Sequence, residues 1–207
     1  MIRAIVSDFG GVLTTPMIEG FLAYQDRTGV SVEALGRAMA QAQERYGEHP
    51  LFQLERGEIS EEEFGRRLGD GLPDDFDLRH LREIYFEQLR PNARMIDYMR
   101  ELRERGLRMA LCTNNVREWE PLWRSKLPEL DEIFEVVVDS AFVGARKPEP
   151  RIFELTLERL GDGVTFENCL LVDDIQLNCD AAAALGMKTV RFEETEQTIA
   201  AIEAELG

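Results

Sequence analysis

Four short segments carry side chains whose types and spacing could do chemistry. They are Asp8-Phe9-Gly10-Gly11, Thr113-Asn114-Asn115, Lys147-Pro148, and Asp173-Asp174 with Asn178 one helical turn on. Together they offer three carboxylates, a hydroxyl, amides and one amine, with no His or Cys among them. Carboxylates gathered in one crevice raise one another's pKa and call for a compensating cation. An all-oxygen donor set suits Mg²⁺, which keeps several waters and binds through one or two carboxylates plus a substrate phosphate. Gly10 and Gly11 let the backbone approach an anion closely, with amides as donors. Thr113 and Asn114 add donors, and Lys147 adds a fixed positive charge. Only three lysines stand against 21 arginines in the chain, so a lysine kept at 147 hints at a need for the compact amine.

For these segments to meet, each must follow a strand of one sheet, since open parallel sheets bind ligands beyond the carboxyl ends of their strands. Short apolar runs at 3–7, 107–112, 135–138, 169–172 and 188–192 read as those strands. Amphipathic stretches at 93–105, 118–127, 151–160 and 177–185 read as the covering helices, with Gly106, Gly161 and Gly186 placed to end three of them. The expected fold is α/β, a doubly wound, Rossmann-like parallel sheet. Residues 16–91 interrupt this rhythm with helical pattern only. Leu35, Met39, Ala42 and Tyr46 share one helical face, and Ser60-Glu61-Glu62-Glu63 is a capping box followed by Phe64. We therefore expect a core of 1–15 and 92–207 with a helical cap inserted at 16–91.

The 207 residues suit one domain carrying an insertion. A net charge of −16 disfavours nucleic acid and anionic membranes, because phosphate binding on that scale needs a Lys/Arg footprint. No apolar run approaches the ~18 residues of a spanning helix, and Met1 leads into Asp8 without a secretory core; a cytoplasmic location is expected. Cys112, Cys169 and Cys179 lack metal-site or disulfide spacing and are expected as buried thiols.

In this order and spacing the four segments resemble the four motifs of the haloacid dehalogenase superfamily, and the helical insertion after the first strand resembles its cap. The closest resemblance is to the branch of sugar-1-phosphate phosphatases and the N-terminal phosphatase domain of epoxide hydrolases, which Leu54-Glu55-Arg56-Gly57-Glu58-Ile59-Ser60 also resembles. The resemblance implies a Mg²⁺-dependent phosphatase acting on a small phosphorylated metabolite, with Asp8 as the nucleophile that forms an aspartyl-phosphate. It further implies metal ligation by Asp8, the Gly10 carbonyl and Asp174, supported by Asp173 and Asn178. Phe9, Gly10, Thr113, Asn114 and Lys147 would hold the phosphoryl oxygens, with Lys147 also stabilising charge in the reaction.

One position departs from the pattern. Family phosphatases carry a second Asp two residues after the nucleophile as general acid and base, and here Gly10 stands there. Two other readings follow: a 2-haloacid dehalogenase, against which the Asp173-Asp174 pair argues, and a non-catalytic phosphate-binding relic. His49, Glu55 or Glu58 from the insertion could supply the missing proton. Glu19, Tyr24, Phe52, Glu55 and Arg56 are candidates for selecting substrate.

Overall fold

Successive side chains of a strand point to opposite faces, so a strand covered on both sides must be apolar throughout. The strand β1 (Ala4–Ser7) obeys this: Ile5 packs with one cluster, Ala4 and Val6 with another. The computed structural model describes residues 1–69, 71–73 and 76–207. In chain order, β1 is followed by α1 (Met17–Thr28), α2 (Val32–Tyr46), α3 (Pro50–Glu55), α4 (Glu61–Gly69) and α5 (Leu78–Gln88). Then come α6 (Ala93–Glu104), β2 (Arg108–Thr113), α7 (Glu120–Arg124), α8 (Leu130–Ile133), β3 (Val136–Asp139), α9 (Ser140–Val143) and α10 (Pro150–Leu160). The chain ends with β4 (Cys169–Asp173), α11 (Gln176–Ala184), β5 (Lys188–Arg191) and α12 (Thr195–Leu206).

The five strands form one parallel sheet in the order β3-β2-β1-β4-β5. On one face Ile5, Met109, Leu111, Leu170 and Val172 meet α6, α8 and α12 through Met99, Leu102, Ile133 and Ile202. On the other, Val6, Ala110, Cys112 and Leu171 meet α10 and α11 through Ile152, Phe153 and Ala182. This is the expected doubly wound α/β sheet. Each expected strand lies within a residue or so of an observed one.

One helix is shorter than its pattern. The stretch 118–127 splits into a 3₁₀ turn at Arg117–Trp119 and α7. Ser125 turns its hydroxyl onto the Leu122 carbonyl at 2.6 Å, and Pro128 disfavours helical backbone in the residue before it. The three cysteines are buried and unpaired, as expected.

Helices α1 to α5 build a core of their own, in which Tyr24, Leu35, Ala38, Ala42, Leu54, Phe64, Leu68, Leu81 and Ile84 are buried. Half of the expected capping box is present: Ser60 Oγ accepts from the Glu63 amide at 3.2 Å. The Glu63 carboxylate is taken instead by Arg66 and Arg67, each at 2.7 Å. Thr14 and Pro91 bridge where the chain leaves and re-enters the sheet domain. Among the described residues, no helix is long and apolar enough to cross a membrane.

Leu102 is fully buried between α6 and the sheet. Leu102→Ala should therefore lower unfolding free energy by about 2–5 kcal/mol, read by urea denaturation; a loss below about 1 kcal/mol would show that this interface repacks freely.

Candidate active site

The crevice forms where strand order reverses, beside β1 and β4. Ser7 is paired with Val172, and the Asp8 amide extends the ladder onto the Val172 carbonyl at 2.9 Å. This register sets Asp8 against Asp173 and Asp174, and one oxygen from each of the three carboxylates lies within 4.8 Å of the others.

Between two of them stands Lys147, 1% exposed in a loop that follows α9. Its Nζ lies 2.9 Å from Asp8 Oδ1 and 2.6 Å from Asp173 Oδ2. Burial opposes charge on this amine, yet Asp173 and Asp8 together hold it well above the ordinary lysine range. Asp8 Oδ1 also accepts from the Phe9 amide at 2.6 Å. Burial pushes the Asp8 carboxyl up to about 7; Lys147 pulls against this, while Asp173 and Asp174 add to it.

Asp173 has little capacity left. Its Oδ2 takes Lys147, and its Oδ1 takes the Ile175 amide and Asn178 Nδ2, each at 2.9 Å. Asp174, by contrast, has no ion-pair partner among the described residues, and burial followed by the charge of Asp173 raises its pKa. Its place depends on Gly11, which sits at φ 77°; a Cβ there would come within 2.2 Å of Asp174 Oδ2. Gly10 is different. Its φ is not positive, and a Cβ would meet nothing within 4 Å.

The donor set fits a hard divalent cation. Three carboxylates face one ammonium and leave a double negative charge, and the glycine backbone keeps the approach to Asp174 clear. Asp8 and Asp174 are the carboxylates with room to bind one, while Asp173 is committed to aiming Lys147.

Thr113 ends β2, lines the cavity at Asp8 and makes no side-chain hydrogen bond among the described residues. Asn114 also lines it, but its carboxamide is engaged: Oδ1 accepts from the Lys147 amide at 2.8 Å and Nδ2 donates to the Lys147 carbonyl at 2.9 Å. Its side chain thus holds the lysine loop.

Helix α3 leans on the same loop. Arg146 Nε meets Glu55 Oε2 at 2.6 Å and lies over the Phe52 ring at 4.0 Å, while Arg56 reaches Glu149 at 3.0 Å. Burial raises the Glu55 carboxyl, with Arg146 opposing. His49 stacks on Phe52 at 4.5 Å and does not line the cavity. Glu58 is bound to Arg56 at 2.7 Å. Arg146 and Tyr85 are among the lining residues that the sequence reading did not single out. Arg146 had only its adjacency to Lys147 as a signal. Tyr85 of α5 lines the cavity; its phenol has no hydrogen-bond partner among the described residues and is held above its usual range by burial and by the charge of Asp8.

Removing Lys147 would leave two buried carboxylates without their counter-charge. Lys147→Met, compared with wild type in EDTA, should lose about 3–5 kcal/mol, seen as a fall of roughly 6–20 °C in Tm. An unchanged Tm would mean that the pairs add nothing to the apo fold.

The comparisons with known proteins bear on this site. The chain is 29% identical over 212 residues to acyl-CoA dehydrogenase family member 10 of Mus musculus, covering 99% of itself but only 19% of that protein. It is 30% identical over 202 residues to Phosphatase MT3486 of Mycobacterium tuberculosis, covering 95% of itself and 90% of the relative. A haloacid dehalogenase family enzyme from Bacteroides thetaiotaomicron, crystallised with magnesium and inorganic phosphate, superposes with a TM-score of 0.67 at 22% identity, over 93% of this chain and 95% of that one. The family model of haloacid dehalogenase-like hydrolases matches residues 2–186, and the chain belongs to that family.

Proposed function

We propose that this hydrolase is a Mg²⁺-dependent phosphatase that cleaves a phosphorylated metabolite through an aspartyl-phosphate on Asp8. The observation that carries the reading is the Asp8 carboxylate itself: Oδ1 is fixed by the Phe9 amide and Lys147, within 4.8 Å of oxygens of Asp173 and Asp174. A carboxylate held by one oxygen can present the other to phosphorus, and a covalent intermediate divides hydrolysis into two easier steps. Magnesium in the Bacteroides relative supports the cofactor. Asp8, the Gly10 carbonyl and Asp174 would hold the ion, and when bound it offsets charge spreading over the phosphoryl oxygens.

The remaining work falls to side chains. In the first step an Asp8 oxygen forms a bond to phosphorus as the ester P–O bond breaks, and the leaving oxygen takes a proton from water. In the second, a water attacks phosphorus and gives its proton back to solvent as the bond to Asp8 breaks, which frees the Asp8 carboxylate and inorganic phosphate. Lys147 neutralises the transferring group, Thr113 and the Gly10 amide orient it, the Phe9 amide holds the nucleophile, and Asp173 with Asn178 keeps the lysine in place. Residues 16–91 act as the cap over the crevice. The Asp173-Asp174 pair supports phosphoryl chemistry over attack on a haloacid carbon.

Asp8→Asn should abolish phosphate release while leaving the far-ultraviolet circular dichroism unchanged, because an amide of the same shape cannot form the acyl-phosphate. Residual turnover above a few per cent would point to another nucleophile.

Without an acid at position 10 the protein should favour good leaving groups, since general acid help contributes ~10²–10⁴-fold. Gly10→Asp enters open space with an ordinary φ. It should speed alkyl phosphates more than aryl phosphates, measured as turnover against leaving-group pKa. A flat wild-type dependence would assign the proton to a group already present, with Tyr85 and Glu55 the ones lining the cavity.

A further inference from the structure

The cavity that opens at Asp8 does not end at the phosphoryl site. It encloses about 380 Å³, about a dozen waters at their ~30 Å³ share of liquid volume. Beyond Thr113 and Asp174 its wall comes from α1, α2, α4 and α5, through side chains such as Phe21, Leu35, Met39, Leu68 and Leu81, with Phe76 just before α5. These helices pack around a space that continues into their own apolar core.

Polar groups on this wall are few. Glu55 Oε2 takes Arg146 Nε, and Asn115 Oδ1 accepts from the Val116 amide at 3.1 Å. The Tyr85 phenol, Asn115 Nδ2 and the terminal nitrogens of Arg146 have no hydrogen-bond partner among the described residues, and against them stand many more apolar side chains. The apolar character continues to the mouth, where Met17, Ile18 and Ile175 line the opening while 43%, 48% and 48% exposed. Sugar or polyol hydroxyls placed here would lose water and find few groups to bond, an arrangement that disfavours them. A hydrocarbon gains from every methylene it buries.

We infer that the organic part of the substrate is an apolar chain, so that the protein is a phosphatase of alkyl or prenyl monophosphates, with the tail lodged among α1, α2, α4 and α5. This rests on the phosphatase reading of Asp8. Primary alkyl phosphates test it cleanly, because their alcohols have nearly the same basicity and differ only in length.

The experiment is kcat/KM for ethyl, butyl, hexyl, octyl and decyl phosphate, below their micelle concentrations, with Mg²⁺. Glucose 6-phosphate and p-nitrophenyl phosphate are run alongside. The expected result is a rise of about threefold to fourfold per buried methylene until the cavity is full, with glucose 6-phosphate below butyl phosphate. Met39→Trp, which fills the cavity from α2, should cut octyl phosphate about tenfold more than ethyl phosphate. Turnover of p-nitrophenyl and ethyl phosphate with a flat or falling dependence on chain length, or a preference for the sugar phosphate, would overturn the tail assignment and leave the phosphatase reading standing. Inertness toward every ester in the panel would overturn both.

Discussion

A single buried ammonium joins the parts of this molecule that matter. Lys147 sits between Asp8 and Asp173, and those two residues end the neighbouring strands β1 and β4. Its own backbone is gripped on both sides by Asn114, just past β2. Side chain and backbone of this one residue therefore tie three strand ends and the loop after α9 into a fixed constellation. Breaking a pair of this kind exposes an uncompensated buried charge, so the sheet, the loop and the nucleophile hold their geometry together. Asp174 escapes this network and, with the second oxygen of Asp8, is left with capacity for a cation.

Two adjacent glycines illustrate how different constraints can look alike in a sequence. Gly11 is needed for shape, because it has positive φ and its missing Cβ makes room for Asp174. Gly10 is under no such pressure: its φ is not positive and a Cβ would stand in empty space. The glycine at position 10 is thus no demand of the backbone there.

Much of the architecture was legible because strands buried on both faces must be apolar runs, and Leu170-Leu171-Val172 followed by two acids could hardly be anything else. The four chemical segments were legible for the same reason: each follows such a run. What stayed hidden depends on distant partners. Asn114 reads as a free amide until Lys147 is seen against it, 33 positions away. The apolar residues of α1 to α5 have the spacing of ordinary core, and nothing in a periodicity distinguishes side chains that close on one another from those that surround a cavity. Tyr85 carries no sequence signal either, since only its nearness to Asp8 in the fold sets it apart from its apolar neighbours.

The strand order carries a consequence for biosynthesis. Ala4 in β1 pairs with Arg108 on one side and with Cys169 on the other. A chain made from its N-terminus has a partner for the first side once β2 is complete, but the second side waits until β4 is made. Through that interval Ala4, Ile5 and Val6, all fully buried in the finished sheet, present an open hydrogen-bonding edge of the kind that recruits other strands. The central strand, which delivers the nucleophile, is the first to be synthesised and among the last to be enclosed, so β1 is where a nascent or truncated chain would stick to another.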